Sequence, residues 1–97
     1  YAEEVEEALK AHARVFDAIV VGVPDPRWTN RVEAVITVRG AAEDIDLDAI
    51  RAHCREHVAG YKVPKAIWVT DDLHRQPSGK PNYKWARDYA VRCGVEA

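Results

Sequence analysis

Methionine is missing from all 97 residues, including the first. A chain that opens on Tyr1-Ala2-Glu3-Glu4-Val5, already inside a helical pattern, reads as a piece cut from a longer protein. Long apolar runs are missing too. None approaches the roughly 20 residues that a membrane-spanning helix needs, which sets aside a transmembrane segment, and no signal peptide is visible. Cysteine is scarce: Cys54 and Cys93 stand alone, without CxxC spacing. Two such residues on helical segments read as packed, reduced thiols of a cytoplasmic protein rather than a disulfide framework. Basic excess is absent as well. The formal net charge is -2, whereas a nucleic-acid binder of this size would be clearly basic.

What is there describes a globular chain. Hydrophobic residues make up 47% and charged residues 31%, enough for one modest core and one domain. Residues 2–13 repeat Val5, Ala8, Leu9 and His12 at helical spacing, with Glu3, Glu4, Glu6, Glu7 and Lys10 on the other face. Residues 15–23, VFDAIVVGV, are apolar at consecutive positions and read as a strand buried on both sides, ended by Pro24-Asp25-Pro26. Residues 31–39 alternate, which predicts a half-buried strand able to pair antiparallel with the first across the 24–30 loop.

Asp46 is a good N-cap for a helix over 47–58, with Leu47, Ile50, Cys54 and Val58 as its apolar stripe and Gly60 as its stop. A short strand follows at 66–70, then a loop at 71–82. The last helix spans 82–93 with Trp85, Ala86, Tyr89 and Cys93 on one face, closed by Gly94. The order α-β-β-α-β-α predicts an α+β domain: a small, mainly three-stranded sheet with helices packed mainly on one side. Trp28, Trp68 and Trp85 read as core or half-buried packing.

Two motifs suggest chemistry. His53-Cys54-Arg55-Glu56-His57 fits the H-x-x-E-H pattern of inverted zinc peptidases. Yet both histidines flank the apolar stripe, Glu56 points nearly opposite, and no downstream glutamate precedes Glu96. Surface histidines beside a packed stripe are the better reading. The second motif is QPSGKPNY, residues 76–83, which sets Lys80 after Ser78 and Gly79 between Pro77 and Pro81. It is not a P-loop, because no glycine stands five residues before Gly79 and Pro81 replaces the Ser/Thr. The residues alone leave two readings: a plain loop lysine, and a lysine aimed at an anion elsewhere.

Taken together and in order, several segments resemble the C-terminal domain of the acyl-adenylate-forming enzymes. These are acyl-CoA synthetases, luciferases and the adenylation domains of peptide synthetases. Tyr1 to Glu6 is similar to the end of the family's N-I-Y-P-x-E-V-E segment, and Val15 to Asp25 to its first long strand. YKVP at 61–64 matches a family hallmark, and LHRQPSGK at 73–80 is similar to L-P-x-T-x-S-G-K. Trp28-Thr29-Asn30 departs from the family's W-G-E, His74 stands where proline is usual, and Pro81 replaces an aliphatic residue. The tail from Lys80 to Arg87 is most like bacterial fatty-acyl-CoA synthetases.

The resemblance implies the lid domain of an ATP-dependent, AMP-forming acyl-CoA synthetase. Its catalytic residue would be Lys80, which stabilises carboxylate adenylation, with Ser78, Gly79, Tyr61 and Lys62 as weaker binding candidates. It implies ATP, Mg2+ and coenzyme A, held mostly by an N-terminal domain absent from this chain, and it implies that the chain alone is inert. Arg14, Arg27 and Arg31 would be candidates for coenzyme A phosphates, with solvated charge as the simpler reading. Glu4 would hold the first helix near the hinge. The alternatives are an adenylation domain that loads a carrier-protein thiol, and a binding module without catalysis.

Overall fold

The computed structural model describes residues 2–27 and 30–96. The readings that involve Tyr1, Trp28 and Thr29 lie outside the described residues. The elements follow the expected order: α1 (Ala2–Lys10), β1 (Val15–Pro24), β2 (Asn30–Val38), α2 (Leu47–Arg55), β3 (Ala66–Val69) and α3 (Tyr83–Glu96). The strands form one mixed sheet in the order β1-β2-β3. β1 and β2 pair antiparallel, as expected across the short 24–30 loop, while β2 and β3 pair parallel. The parallel pair follows from α2, which carries the chain back to the same end of the sheet.

The helices do not gather on one side. α1 and α2 cover one face, where Val5, Leu9, Ile50 and Cys54 meet Val15, Ala18, Val20, Ala34, Ile36 and Ile67. α3 covers the other, where Ala86 and Ala90 meet Ile19, Val21, Val23 and Val35. The cause is already in β1: a strand apolar on both faces must be covered on both. Each fully buried isoleucine or valine contributes about 1.5–3 kcal/mol. A bulge between Val15 and Asp17 re-aims the start of β1. It leaves Phe16 exposed beneath the Arg39 guanidinium.

β2 corrects the half-buried reading. It is the central strand, and Ala34, Val35 and Ile36 are all fully buried. Glu33, expected on a solvent face, is 1% exposed. It is tolerated because Arg31 Nε donates to its Oε2 at 2.6 Å and the Trp68 indole N–H to its Oε1 at 2.7 Å. Trp68 is thus half-buried and anchored, as expected.

Helix ends also differ. α1 stops at Lys10 rather than at residue 13, because the His12 ring accepts a hydrogen bond from the Arg14 amide at 3.1 Å and draws the backbone into a turn. Asp46 caps α2 through the Ala49 amide at 3.1 Å, as expected, but α2 ends at Arg55. Gly60 starts a short 3-10 turn (Gly60–Lys62) instead of a left-handed stop. Asn82 accepts from the Trp85 amide at 3.1 Å and caps α3, which runs through Gly94 to Glu96. Its buried stripe is Ala86 and Ala90 rather than Cys93, because the small side chains let the helix approach β1. Tyr83, Trp85 and Tyr89 flank that contact.

β1 is an edge strand, so alternate amides face away from β2. Asp17 Oδ1 accepts from the Ala18 amide at 2.9 Å, and Glu6 Oε2 from the Val20 amide at 2.9 Å. Glu6 was expected on the polar face of α1, yet it is 5% exposed. The Tyr83 hydroxyl donates to the same Glu6 oxygen at 3.2 Å. Burial raises the Glu6 carboxyl above the ordinary glutamate range, against the opposing hydrogen bonds. The native state therefore binds the proton more tightly than the unfolded chain does. This contribution to stability falls as pH rises from the ordinary glutamate value through the raised native one. Glu6→Gln keeps an acceptor and should remove that pH-dependent loss. Glu6→Ala strands the Val20 amide and should cost about 1–3 kcal/mol. Urea unfolding of the three proteins across the acid range checks both.

Candidate functional site

The loop that follows β3 crosses the sheet to reach the edge of β1. Leu73 is buried in the α3-side core and fixes the crossing. His74 takes a left-handed backbone conformation with φ 53°, a region proline cannot adopt. Its amide donates to Asp72 Oδ1 at 2.8 Å, and its ring packs against Trp85 with centroids 4.8 Å apart. Trp85 also stacks on Tyr89 and is half-buried.

Arg75 then meets β1. Its Nε and Nη2 donate to the two oxygens of Asp17, each at 2.7 Å, and its Nη1 donates to the Gly79 carbonyl at 3.1 Å. The Arg75 hydrogen bonds hold the Asp17 carboxyl below its usual range, so the pair is intact at neutral pH. Its contribution to stability is present above the ordinary aspartate value and is lost as pH falls through the depressed native one.

Residues 76–80 form a closed turn. The Gly79 amide donates to the Gln76 carbonyl at 2.8 Å, and the Gln76 amide to the Lys80 carbonyl at 3.1 Å. Gly79 sits at φ 87°, which explains why glycine is there. Ser78, Gly79 and Lys80 are exposed. Of the five lysines, Lys10, Lys62 and Lys84 form ion pairs with Glu7, Glu4 and Asp88. Among the described residues the Lys80 ammonium has no ion-pair partner. Lys80 lines an open cleft with Gln76 and Pro81 on the loop and Glu3, Glu7 and Lys10 on α1; Glu6, Arg75 and Tyr83 complete the lining. An exposed cation on a long stem therefore stands on a turn closed by its own backbone.

The other expected site residues are elsewhere. Tyr61 is exposed, with the Lys62 ammonium 5.8 Å from its ring centroid. Lys62 Nζ donates to Glu4 Oε1 at 2.7 Å, so this pair ties the YKVP segment to the start of α1. Neither residue lines the Lys80 cleft. Glu4 is thus a structural anchor. Arg14 is engaged through Nε and Nη2: it donates to the Arg39 and Ala41 carbonyls at 2.6 and 2.8 Å and to Asp44 at 3.0 Å. Arg27 and Arg31 line a separate cleft with Asp25, Pro26 and Lys65.

His53, His57 and His12 pack ring against ring, with centroids 5.3 Å apart for His12–His53 and 4.7 Å for His53–His57. Among the described residues no group of three or more His, Cys, Asp or Glu side chains is placed to hold a metal ion. Burial raises the Cys54 thiol, which packs in the core. Sequence reasoning missed Asp17, Arg75, Glu6 and Tyr83. Only the two-sided apolarity of β1, with one acid in it, hinted that Asp17 needed a partner.

Residues 4–80 match the AMP-binding enzyme C-terminal domain. The chain belongs to that family. It is 53% identical over 88 residues to a 3-oxocholest-4-en-26-oate–CoA ligase of Rhodococcus rhodochrous, covering 91% of this chain and 16% of the relative. It is 52% identical, with the same coverage, to a medium/long-chain-fatty-acid–CoA/3-oxocholest-4-en-26-oate–CoA ligase of Mycolicibacterium smegmatis. Among solved structures it superposes on the amide bond synthetase McbA of Marinactinospora thermotolerans with a TM-score of 0.84 and 35% identity, covering 92% of this chain and 18% of that one. The chain thus spans about a sixth of the length of the curated relatives it matches.

The loop geometry makes its glycine testable. A Cβ on Gly79 meets nothing within 4 Å, so the cost of Gly79→Ala is purely conformational. It should destabilise the turn by about 1–2 kcal/mol. Gly60→Ala, with open space and no positive φ, should stay within about 0.5 kcal/mol of the parent chain. Denaturation midpoints, with exchange of the Gly79 amide as local probe, separate the two.

Proposed function

We propose that this chain is the lid of an ATP-dependent, AMP-forming ligase that activates a carboxylic acid and passes the acyl group to coenzyme A. The observation that carries the reading is Lys80, exposed and without an ion-pair partner among the described residues, on a turn closed by its own backbone. The names of relatives more than half identical to the chain support an acid with a large apolar tail, a fatty acid or a steroid side-chain carboxylate.

In the adenylation step the acid's carboxylate attacks the α-phosphate of ATP. An O–P bond forms, pyrophosphate leaves, and two anions must approach. An ammonium on a four-carbon stem lies between them and offsets the charge as it develops. Lys80 acts there as an electrostatic stabiliser, neither base nor nucleophile. Ser78 and Gly79 keep the turn small and open to a partner surface. Lys62 positions the body of the lid through Glu4, with the Tyr61 ring beside its ammonium, rather than binding substrate. ATP, its Mg2+, the acyl group and most of coenzyme A fall to the remainder of the parent protein, in the cytoplasm. Closure of the lid excludes water and completes a site from two pieces. The isolated chain is then inert.

The test is made in the full-length parent protein with a panel of fatty and steroid acids. Lys80→Ala should lower acid-dependent pyrophosphate release by about 10²–10³-fold, some 3–4 kcal/mol in the barrier. Transfer from a preformed acyl-adenylate to coenzyme A should be spared. Equal pyrophosphate release by both proteins would overturn the assignment of Lys80.

A further inference from the structure

The side chain of Lys80 is free to search for its target, but its backbone is not. Two peptide planes flank its Cα. The plane before it carries the Gly79 carbonyl, which accepts from Arg75 Nη1 at 3.1 Å. The plane after it carries the Lys80 carbonyl, which accepts from the Gln76 amide at 3.1 Å. With both planar units held, φ and ψ of Lys80 are set, and so is the direction of its Cα–Cβ bond. The first of these holds is only as firm as Arg75, whose Nε and Nη2 are fixed by the two Asp17 oxygens at 2.7 Å each. Asp17 in turn belongs to β1, whose neighbours Ala18 and Ile19 are fully buried.

We propose that Asp17 and Arg75 are positioning residues for adenylation, transmitting the rigidity of β1 through the Gly79 carbonyl to the aim of Lys80. The proposal rests on the reading of Lys80 given above. Neither residue touches substrate; both act through the peptide plane that precedes the lysine. The guanidinium is needed because it makes three directed contacts in one plane, two to a carboxylate and one to a carbonyl. A lysine at position 75 would keep the charge and lose that fork. A misplacement of about 1 Å at a reacting group can cost on the order of 10²-fold, so loss of the tether should be felt in rate.

The test compares wild type, Asp17→Asn, Arg75→Lys and Lys80→Ala in the full-length protein. Arg75→Gln is a further variant that leaves the bond between Asp17 and the Ala18 amide in place. Asp17→Asn and Arg75→Lys should lower kcat for adenylation about ten- to a hundredfold with KM values little changed. Transfer from preformed acyl-adenylate to coenzyme A should be unaffected, and the Gly79 amide should exchange faster with solvent. In a Lys80→Ala background, Asp17→Asn should cost little more, because an unaimed lysine and a missing one fail alike. Equal loss in both half-reactions, or the same factor with and without Lys80, would reduce the tether to simple stability and overturn the proposal. Full activity in Asp17→Asn and Arg75→Gln, with Lys80→Ala impaired, overturns the tether and leaves the lysine reading standing. Full activity in Lys80→Ala removes both.

Discussion

β1 is apolar on both faces and open along one edge, and most of the molecule answers that constraint. The two faces require cover on both sides, so α1 and α2 take one and α3 the other. The open edge presents amides that must be satisfied without inviting another strand. Glu6 from α1 and Asp17 from the strand itself take two of them. Both acceptors are carboxylates, which brings charge to a partly buried edge and creates a second demand. The Tyr83 hydroxyl meets it for Glu6, and the Arg75 guanidinium meets it for Asp17.

Those two partners stand on either side of the 76–80 turn. Since α3 must cover β1 after β3 has formed at the opposite edge, the connecting loop crosses the sheet and arrives where Asp17 and Glu6 wait. Arg75 fixes the incoming limb, and Asn82 and Tyr83 fix the outgoing one. Lys80 therefore owes its place to how the edge of β1 is closed. The loop, the cap of α3 and the buried acid of α1 form one connected arrangement, although they come from three distant parts of the chain.

The strands were legible in the sequence because their patterns are local. Residues 15–23 are apolar at consecutive positions, and Asp46 precedes a clean helical stripe. Partners distant in sequence were not legible. Glu6 sits among three other glutamates on a helix, and nothing in that run marks it as the one facing the Val20 amide. Glu33 read as a solvent-facing charge because alternation cannot show that Arg31 and Trp68 neutralise it. Arg75 meets Asp17 across 58 residues, a contact that only the crossing of the loop creates. The placement of α3 was within reach: a strand buried on both sides already demanded a helix on each face. Of the candidate site, the lysine and its glycine were visible from the motif, whereas what holds them was not.

In the function proposed above, the domain has two opposed requirements. As a body it must move between arrangements, and as a site it must deliver one ammonium to a narrow place between two anions. The structure separates them. The turn is held to β1 at one foot through Arg75 and Asp17, and to α1 at the other through Tyr83 and Glu6, so little of it is left to order when the lid docks. What remains mobile is the four-carbon stem of Lys80, whose immobilisation costs about 0.5–1.5 kcal/mol. That is small beside the roughly 3–4 kcal/mol that such a charge contributes in the transition state. Were the turn itself loose, several backbone residues would have to be ordered on each closure, at about 1–2 kcal/mol apiece. The gain from the lysine would then be cancelled by two or three residues. A rigid turn on a movable body is the arrangement in which a single exposed cation is worth carrying.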